Sequence, residues 1–298
     1  MSTLEALNLN IFIRLIALLS VTLIGLMVFI MGREFWATTV EDFRPNRTVV
    51  ALDVKDGALG FSTVHIPMRP GPGRMAAFYR QPKNGKVVIL LHGSAANRGL
   101  LLPEARFFAE SGFGVLVPDL PGHGQSDGQI QWGSTERPAL SEWVAWLIAQ
   151  PECATAKISL YGFSFGSMVA VQYAAIDQRI TSVVLAGSFG TFVELFTAQA
   201  GLHGFLFVGA WLGAYIGHGV DFWQGQPIDL IASIAPRPLL FISGSSDRTV
   251  PSYLSDQLFD AALPPKRRAV LMGANHGTYI QTNPEQFSRE ILEFYGSQ

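Results

Sequence analysis

Ser164 lies at the centre of Gly162-Phe163-Ser164-Phe165-Gly166, and that spacing suits a serine that must act as a nucleophile. The hydroxyl has to stand exposed on a strained turn. Glycines two positions to either side permit one, because a Cβ at those positions would collide with neighbouring backbone. Lys157-Ile158-Ser159-Leu160-Tyr161 reads as a buried strand and residues 167–177 as a helix, so the serine falls at a strand-to-helix corner. Ser159 and Ser167, inside the strand and a turn into the helix, lack that geometry.

A nucleophilic serine needs a base to take its proton and a carboxylate to orient the base. Asp247 and His276 follow it in the chain. Residues 238–244 read as an apolar strand opening into Ser245-Ser246-Asp247-Arg248-Thr249-Val250-Pro251. A short strand at 268–272 runs into Gly273-Ala274-Asn275-His276-Gly277. Both side chains therefore fall just past the C-terminal end of a strand, where open α/β sheets gather their ligands. Asp247 also fits a cap for the helix that begins near Pro251, and Glu194 and Asp229 are alternative acids. Asp256 and Asp260 fit the solvated face of that helix. His92 and His123 occupy glycine-flanked turns where an imidazole braces backbone, and His203 and His218 lie in an apolar insertion. Tyr161 and Asn97 fit either a pocket lining or a core tyrosine and a loop-bracing asparagine.

The order Ser, Asp, His is that of the α/β hydrolases and not that of the chymotrypsin or subtilisin types. Leu90-Leu91-His92-Gly93-Ser94 resembles the strand and oxyanion loop of that superfamily, and Pro118-Asp119-Leu120-Pro121-Gly122-His123-Gly124-Gln125-Ser126 resembles its D-x-x-G-H-G-x-S turn. From about residue 49 to the C-terminus the chain is similar to this superfamily, in particular its small-lid serine esterase and acylglycerol lipase-like branch. The single glycine after His92 departs from the HGGG lipases and implies a simpler oxyanion loop. The resemblance implies backbone N–H donors at Ser94 and Phe165, with Ser164, Asp247 and His276 acting together. It implies cleavage of a carboxylic ester through an acyl-enzyme without cofactor or metal. A thioesterase, amidase or peptidase uses the same triad, and a membrane-tethered ligand-binding protein can keep the same fold. Epoxide hydrolases and dehalogenases place Asp at the elbow, so the serine argues against both.

The elements that must position these residues alternate between strand and helix, which predicts an α/β fold with a mostly parallel eight-stranded sheet. Alternation suggests strands at 48–54, 61–66 and 74–79, with Pro70-Gly71-Pro72-Gly73 as a turn between the last two. Continuous apolar runs suggest buried strands at 86–91, 113–117, 157–160, 181–186, 238–242 and 268–272, with a helix over 101–111 after the first of them. A lid insertion is expected at about 188–235. Within it residues 200–217 carry no acidic or basic residue besides His203, and Trp211 and Phe207 are the candidate substrate-binding residues. A second membrane span there would separate Ser164 from Asp247 and His276, so a lid that rests on the membrane or a buried cap helix are the two readings.

With 298 residues, 49% hydrophobic and 15% charged, the chain can bury one sizeable core. A net charge of -2 leaves no footprint for nucleic acid. The lone Cys153 cannot form an internal disulfide and fits a structural thiol, and the isolated histidines show no metal-ligand spacing. Residues 15–32 hold no charge and are bracketed by Arg14 and Arg33. At 1.5 Å per residue they reach about 27 Å, so a membrane-spanning helix is expected over about 11–32, with Trp36 placed for the interface. A cleaved signal peptide and a buried core helix are the competing readings, and no small-x-small cleavage site precedes Arg33-Glu34-Phe35-Trp36. Arg33, Arg44 and Arg47 after the span, against Arg14 and the amino terminus before it, favour a cytoplasmic catalytic domain, though the side stays open. The organisation expected is an anchor and flank over 1–40, with a polar linker at 41–46 leading into a catalytic domain over 41–298. The partners expected are a lipid-like ester and a membrane.

Overall fold

Residue type settles the first element of the computed structural model, which describes residues 3–42, 45–69, 71–200 and 225–296. Helix α1, Thr3–Asp42, is built from leucine, isoleucine and other good helix formers without a proline. Within it Asn10–Met31 is the one stretch among the described residues long and apolar enough to cross a membrane, with 22 residues of mean hydropathy 2.5 and none buried. Leu18, Leu19 and Val21 are all exposed, so the apolar surface is not confined to one face as it would be on a helix packed against a core. Thr22 Oγ1 donates to the Leu18 carbonyl at 2.9 Å, which spares the hydroxyl an unsatisfied place among apolar neighbours.

From residue 45 the chain runs without regular structure to helix α2, Val54–Ala58. The strand expected at 48–54 does not form. Asp53 Oδ1 accepts the Asp56 N–H at 2.8 Å and Asp56 Oδ2 accepts the Asp53 N–H at 3.0 Å, a reciprocal cap that turns the backbone into a helix. Arg106 binds both carboxylates and secures that turn. The expected linker at 41–46 also starts later, because α1 continues to Asp42.

Eight strands make one mixed sheet: β1 Ser62–Pro67, β2 Arg74–Arg80, β3 Lys86–Leu91, β4 Gly114–Pro118, β5 Lys157–Phe163, β6 Ile180–Ala186, β7 Leu239–Gly244 and β8 Lys266–Leu271. Their order is β1-β2-β4-β3-β5-β6-β7-β8. Strand β2 runs antiparallel to β1 and β4, and the pairings from β4 through β8 are parallel. The Met68 N–H donates to the Gly73 carbonyl and closes the β1–β2 connection.

Both faces of the parallel part are covered, which is why its strands read as uninterrupted apolar runs. On β3, Val87, Ile89 and Leu91 enter the core shared with helices α4, Glu136–Ile148, and α5, Phe165–Ile176. Val88 and Leu90 enter the opposite core, with helix α3, Leu102–Glu110, and the C-terminal helix Pro284–Gly296. The alternation repeats on β5, β6 and β7, so each strand is locked in register by two cores at once. Cys153 is buried with its Sγ 3.4 Å from the Tyr79 hydroxyl, in keeping with a structural thiol. Helix α6, Phe192–Ala200, opens the connection between β6 and β7. Half of the expected lid, with Phe207, Trp211, His203 and His218, lies outside the described residues.

Candidate active site

Strand β5 ends at Phe163 and α5 starts at Phe165, so Ser164 alone makes the corner. Its φ of 54° and ψ of -119° form a strained backbone that few side chains tolerate. The two flanking glycines account for it. A Cβ on Gly162 would lie 2.4 Å from the Gly166 carbonyl oxygen, and one on Gly166 only 2.1 Å from that of Leu91. The main chain fastens the corner through Ser164 N–H to the Ala186 carbonyl at 2.9 Å. The Ser164 side chain makes no capping bond to the helix it precedes, so its hydroxyl is not used structurally there.

Asp247 follows β7 and His276 follows β8, and the parallel pairing of these strands brings the two loops together. Asp247 Oδ2 and His276 Nδ1 are 2.7 Å apart. The other carboxylate oxygen, Oδ1, accepts the N–H groups of Thr249 at 3.0 Å and Val250 at 2.8 Å. Burial works to raise the Asp247 pKa, but the bond and charge of His276, the Val250 amide and the Tyr279 hydroxyl outweigh it and hold the carboxyl below its ordinary value. Asp247 does not cap helix α7, Ser252–Ala261, whose N-cap is Pro251. Glu194 instead pairs with Thr191, Asp229 is exposed on its own helix, and Asp256 pairs with Arg268, so none replaces Asp247 beside His276.

Tyr279 went unnoticed in the sequence. Its buried hydroxyl donates to Asp247 Oδ2 at 2.7 Å, the same oxygen that faces His276. Burial and the neighbouring carboxylate push its pKa far above the ordinary tyrosine range, so it stays a donor. Gly187, with φ of 59°, makes room for this pair, since a Cβ there would stand 2.7 Å from the Tyr279 oxygen and 3.2 Å from the His276 ring. The Phe163 ring packs on His276 with centroids 4.6 Å apart.

The loop after β3 turns at Ala95, whose φ is 54°. His92 braces it: Nδ1 bonds the Gly93 carbonyl at 2.8 Å and Nε2 accepts the Leu120 N–H at 3.0 Å, which assigns the proton to Nδ1. Burial lowers its pKa to about 4 against the opposing pull of the Gly93 carbonyl. Burial and the proximity of His92 lower that of His123 to about 3. Both histidines are therefore neutral supports, as their glycine-flanked turns suggested. Asp119 receives the backbone N–H groups of Arg98 and Gln125 and forms a buried ion pair with the Arg98 guanidinium. Asn97 caps the turn at Gly99, and Tyr161 is buried in the core, so the structural reading holds for both.

A cavity of about 620 Å³ joins these parts. Ser164, His276 and Ser94 meet in it, with Phe165, Phe163, Trp132, Phe189 and Leu195 among its apolar lining. The Phe165 amide lies at the first position of α5 and has no intrahelical acceptor. Trp132, also missed in the sequence, holds a φ of 52° and meets Phe165 edge-on at 4.9 Å. Arg248 stands exposed at the rim.

A sequence-family model described as the alpha/beta hydrolase fold matches residues 86–206. An esterase structure from Pyrococcus furiosus superposes with a TM-score of 0.68 at 24% identity, over 85% of this chain and 98% of that one. The chain has the α/β-hydrolase fold. Among curated proteins, bem46 of Schizosaccharomyces pombe is 27% identical over 172 residues, 57% of this chain and 54% of that protein. An uncharacterised protein of Mycobacterium tuberculosis is 29% identical over 195 residues, 65% of this chain and 63% of its own length. The chain thus spans less than two thirds of the length of either curated relative. Within this fold Ser164 follows β5, Asp247 follows β7 and His276 follows β8.

Proposed function

We propose that this chain is a membrane-anchored serine hydrolase that cleaves carboxylic esters with apolar or lipid-like acyl groups. The observation that carries the reading is the meeting of Ser164, on its strained corner, with His276, paired at 2.7 Å to Asp247, in one cavity with aromatic side chains in its wall. Asp247 accepts from Nδ1 of His276, which leaves Nε2 free to take the Ser164 proton as the hydroxyl attacks the ester carbonyl. Nε2 then returns the proton to the leaving alcohol, and water repeats the sequence to release the acid. Asp247, ionised and held by Thr249, Val250 and Tyr279, steadies the imidazolium that forms between those steps. Amides of Ser94 and Phe165 receive the oxyanion, each worth about 3 kcal/mol in such sites. The aromatic walls favour an acyl chain over a polar one, and the similarity to an esterase structure supports this class. Helix α1, over Asn10–Met31, supplies the anchor at a length of about 33 Å.

A fluorophosphonate probe tests the mechanism. The wild-type protein should form an adduct that Ser164→Ala lacks, with turnover of esters in the variant down by on the order of 10⁶ and the fold intact. Folded wild-type protein that takes no label would favour a ligand-binding role instead. A panel of p-nitrophenyl, thio- and glycerol esters then ranks leaving groups and chain lengths.

A further inference from the structure

The segment that joins α1 to the catalytic domain is fastened to the same edge of the sheet that carries Ser164. The Asn46 carbonyl accepts the Gly124 N–H at 2.7 Å. Arg47 donates to the carbonyls of Ser126 at 2.7 Å and Gly128 at 3.3 Å. Asn97 Nδ2 donates to the Thr48 carbonyl at 3.1 Å, and Val50 packs on Gly99, where a Cβ would lie 2.8 Å from its methyl. Every one of these partners sits in the loops that follow β3 and β4, at the C-terminal end of the parallel strands.

Chain length turns this fastening into a constraint. The apolar span ends at Met31 and α1 continues to Asp42, which adds about 16 Å of helix. The remaining residues to Asn46 reach at most about 14 Å. The catalytic edge is thus held within roughly 30 Å of the end of the span, while the opposite edge lies a further 20 Å or so away along strands of about six residues. The surface near the tether suits a bilayer. Leu100 lines the cavity and is exposed, Val49 is exposed beside the Val50–Gly99 contact, and Arg248 at the rim has no carboxylate partner among the described residues. Apolar side chains with a free cation are what an interface of acyl chains and phosphate headgroups binds.

We infer that the tether turns the mouth of the Ser164 cavity toward the bilayer that α1 crosses, so that a membrane-resident ester enters past Leu100 without passing through bulk water. The inference rests on the reading of α1 as an anchor. It is tested with the full chain in vesicles of phosphatidylcholine and phosphatidylglycerol, carrying an environment-sensitive fluorophore on Leu100→Cys or, at the opposite edge just before β8, on Leu263→Cys. Doxyl-labelled lipid should quench the Leu100 probe at least about twofold more than the Leu263 probe. Equal quenching, or the reverse, with both proteins floating with the vesicles and the unsubstituted protein cleaving a soluble p-nitrophenyl ester, overturns the inference while leaving the anchor and the hydrolase reading intact. Failure to float overturns the anchor and the inference with it. Quenching that follows protein density instead of doxyl content would assign the surface to a second copy of this chain. As an independent readout, a rigid helical insert of about 20 residues, roughly 30 Å, between residues 43 and 44 should slow hydrolysis of a vesicle-embedded ester at least about fivefold and leave the soluble ester unaffected. Unchanged turnover of both esters would overturn it.

Discussion

The two halves of the candidate site are held by different means. At Ser164 the main chain does the work: Gly162 and Gly166 allow backbone to approach backbone within distances that no side chain tolerates, and Ser164 donates its amide to the neighbouring strand. At Asp247 and His276 side chains do it: Asp247 gathers two backbone amides, the His276 ring and the Tyr279 hydroxyl, the last two from 29 and 32 residues away. Steric constraint makes the first half stiff and intolerant of one added methyl. The second is a network whose members can be removed one at a time with graded effect.

The largest effect expected from this contrast is at Gly166. Gly166→Ala drives a methyl into the Leu91 carbonyl and should both destroy turnover and cost at least about 3 kcal/mol of stability, seen as a lowered urea midpoint. A variant that kept wild-type stability would show that the corner is not sterically locked. Asp247→Asn comes next. It keeps the shape of the acid but loses the charge and offers His276 the wrong hydrogen-bond partner, so kcat should fall by about 10⁴ while the urea midpoint moves little beside that of Gly166→Ala. Tyr279→Phe removes one donor and leaves His276 in place on Asp247. Loss of a bond worth about 1 to 1.5 kcal/mol predicts a drop in kcat of about tenfold with KM unchanged. A change in KM alone would make Tyr279 a packing residue.

The smallest effect is on pH dependence, and it separates the halves by sign and window. His92 and His123, beside the loop after β3, have folded pKa values of about 4 and about 3. Both lie below the unfolded value of about 6.5, so the unfolded chain takes up protons first. Stability from these two groups is complete above about pH 6.5 and is lost as pH falls toward 4 and 3. Asp247 is also lowered, and its contribution is lost only below the unfolded carboxylate value of about 4. The two rings should therefore pull urea midpoints down between about pH 6.5 and 4, against the buried Glu104, whose pKa is raised to about 7 by burial and which gains stability as pH falls over that window, while ¹⁵N shifts of His92 and His123 still report neutral rings. Titration of either ring near pH 6.5 would remove the neutral brace from the nucleophile side.

Much of this was legible in residue types. Strands covered on both faces announced themselves as continuous apolar runs, because each needs an apolar side chain at every position. The stretch at 48–54 misled because its alternation imitates a strand, while the cap between Asp53 and Asp56 depends on which conformation their carboxylates can close. Tyr279 and Trp132 carried no signal, since one reaches Asp247 across two loops and the other lines the cavity through an unusual φ.

The sequence by itself determined the serine corner, the strand-end loops that carry Asp247 and His276, and the apolar span of α1, for each rests on constraints among residues close in the chain: a glycine where a Cβ cannot fit, an uncharged stretch of sufficient length. Only the tertiary structure decided that Tyr279 shares an oxygen of Asp247 with His276, that the aromatic side chains of Trp132, Phe165 and Phe189 line one cavity, and that Asn46 and Arg47 fasten the segment after α1 to the sheet edge that carries Ser164. Those contacts join groups tens of residues apart, and a hydrogen bond at that separation exists only after the sheet has set the register of the strands whose ends carry its loops.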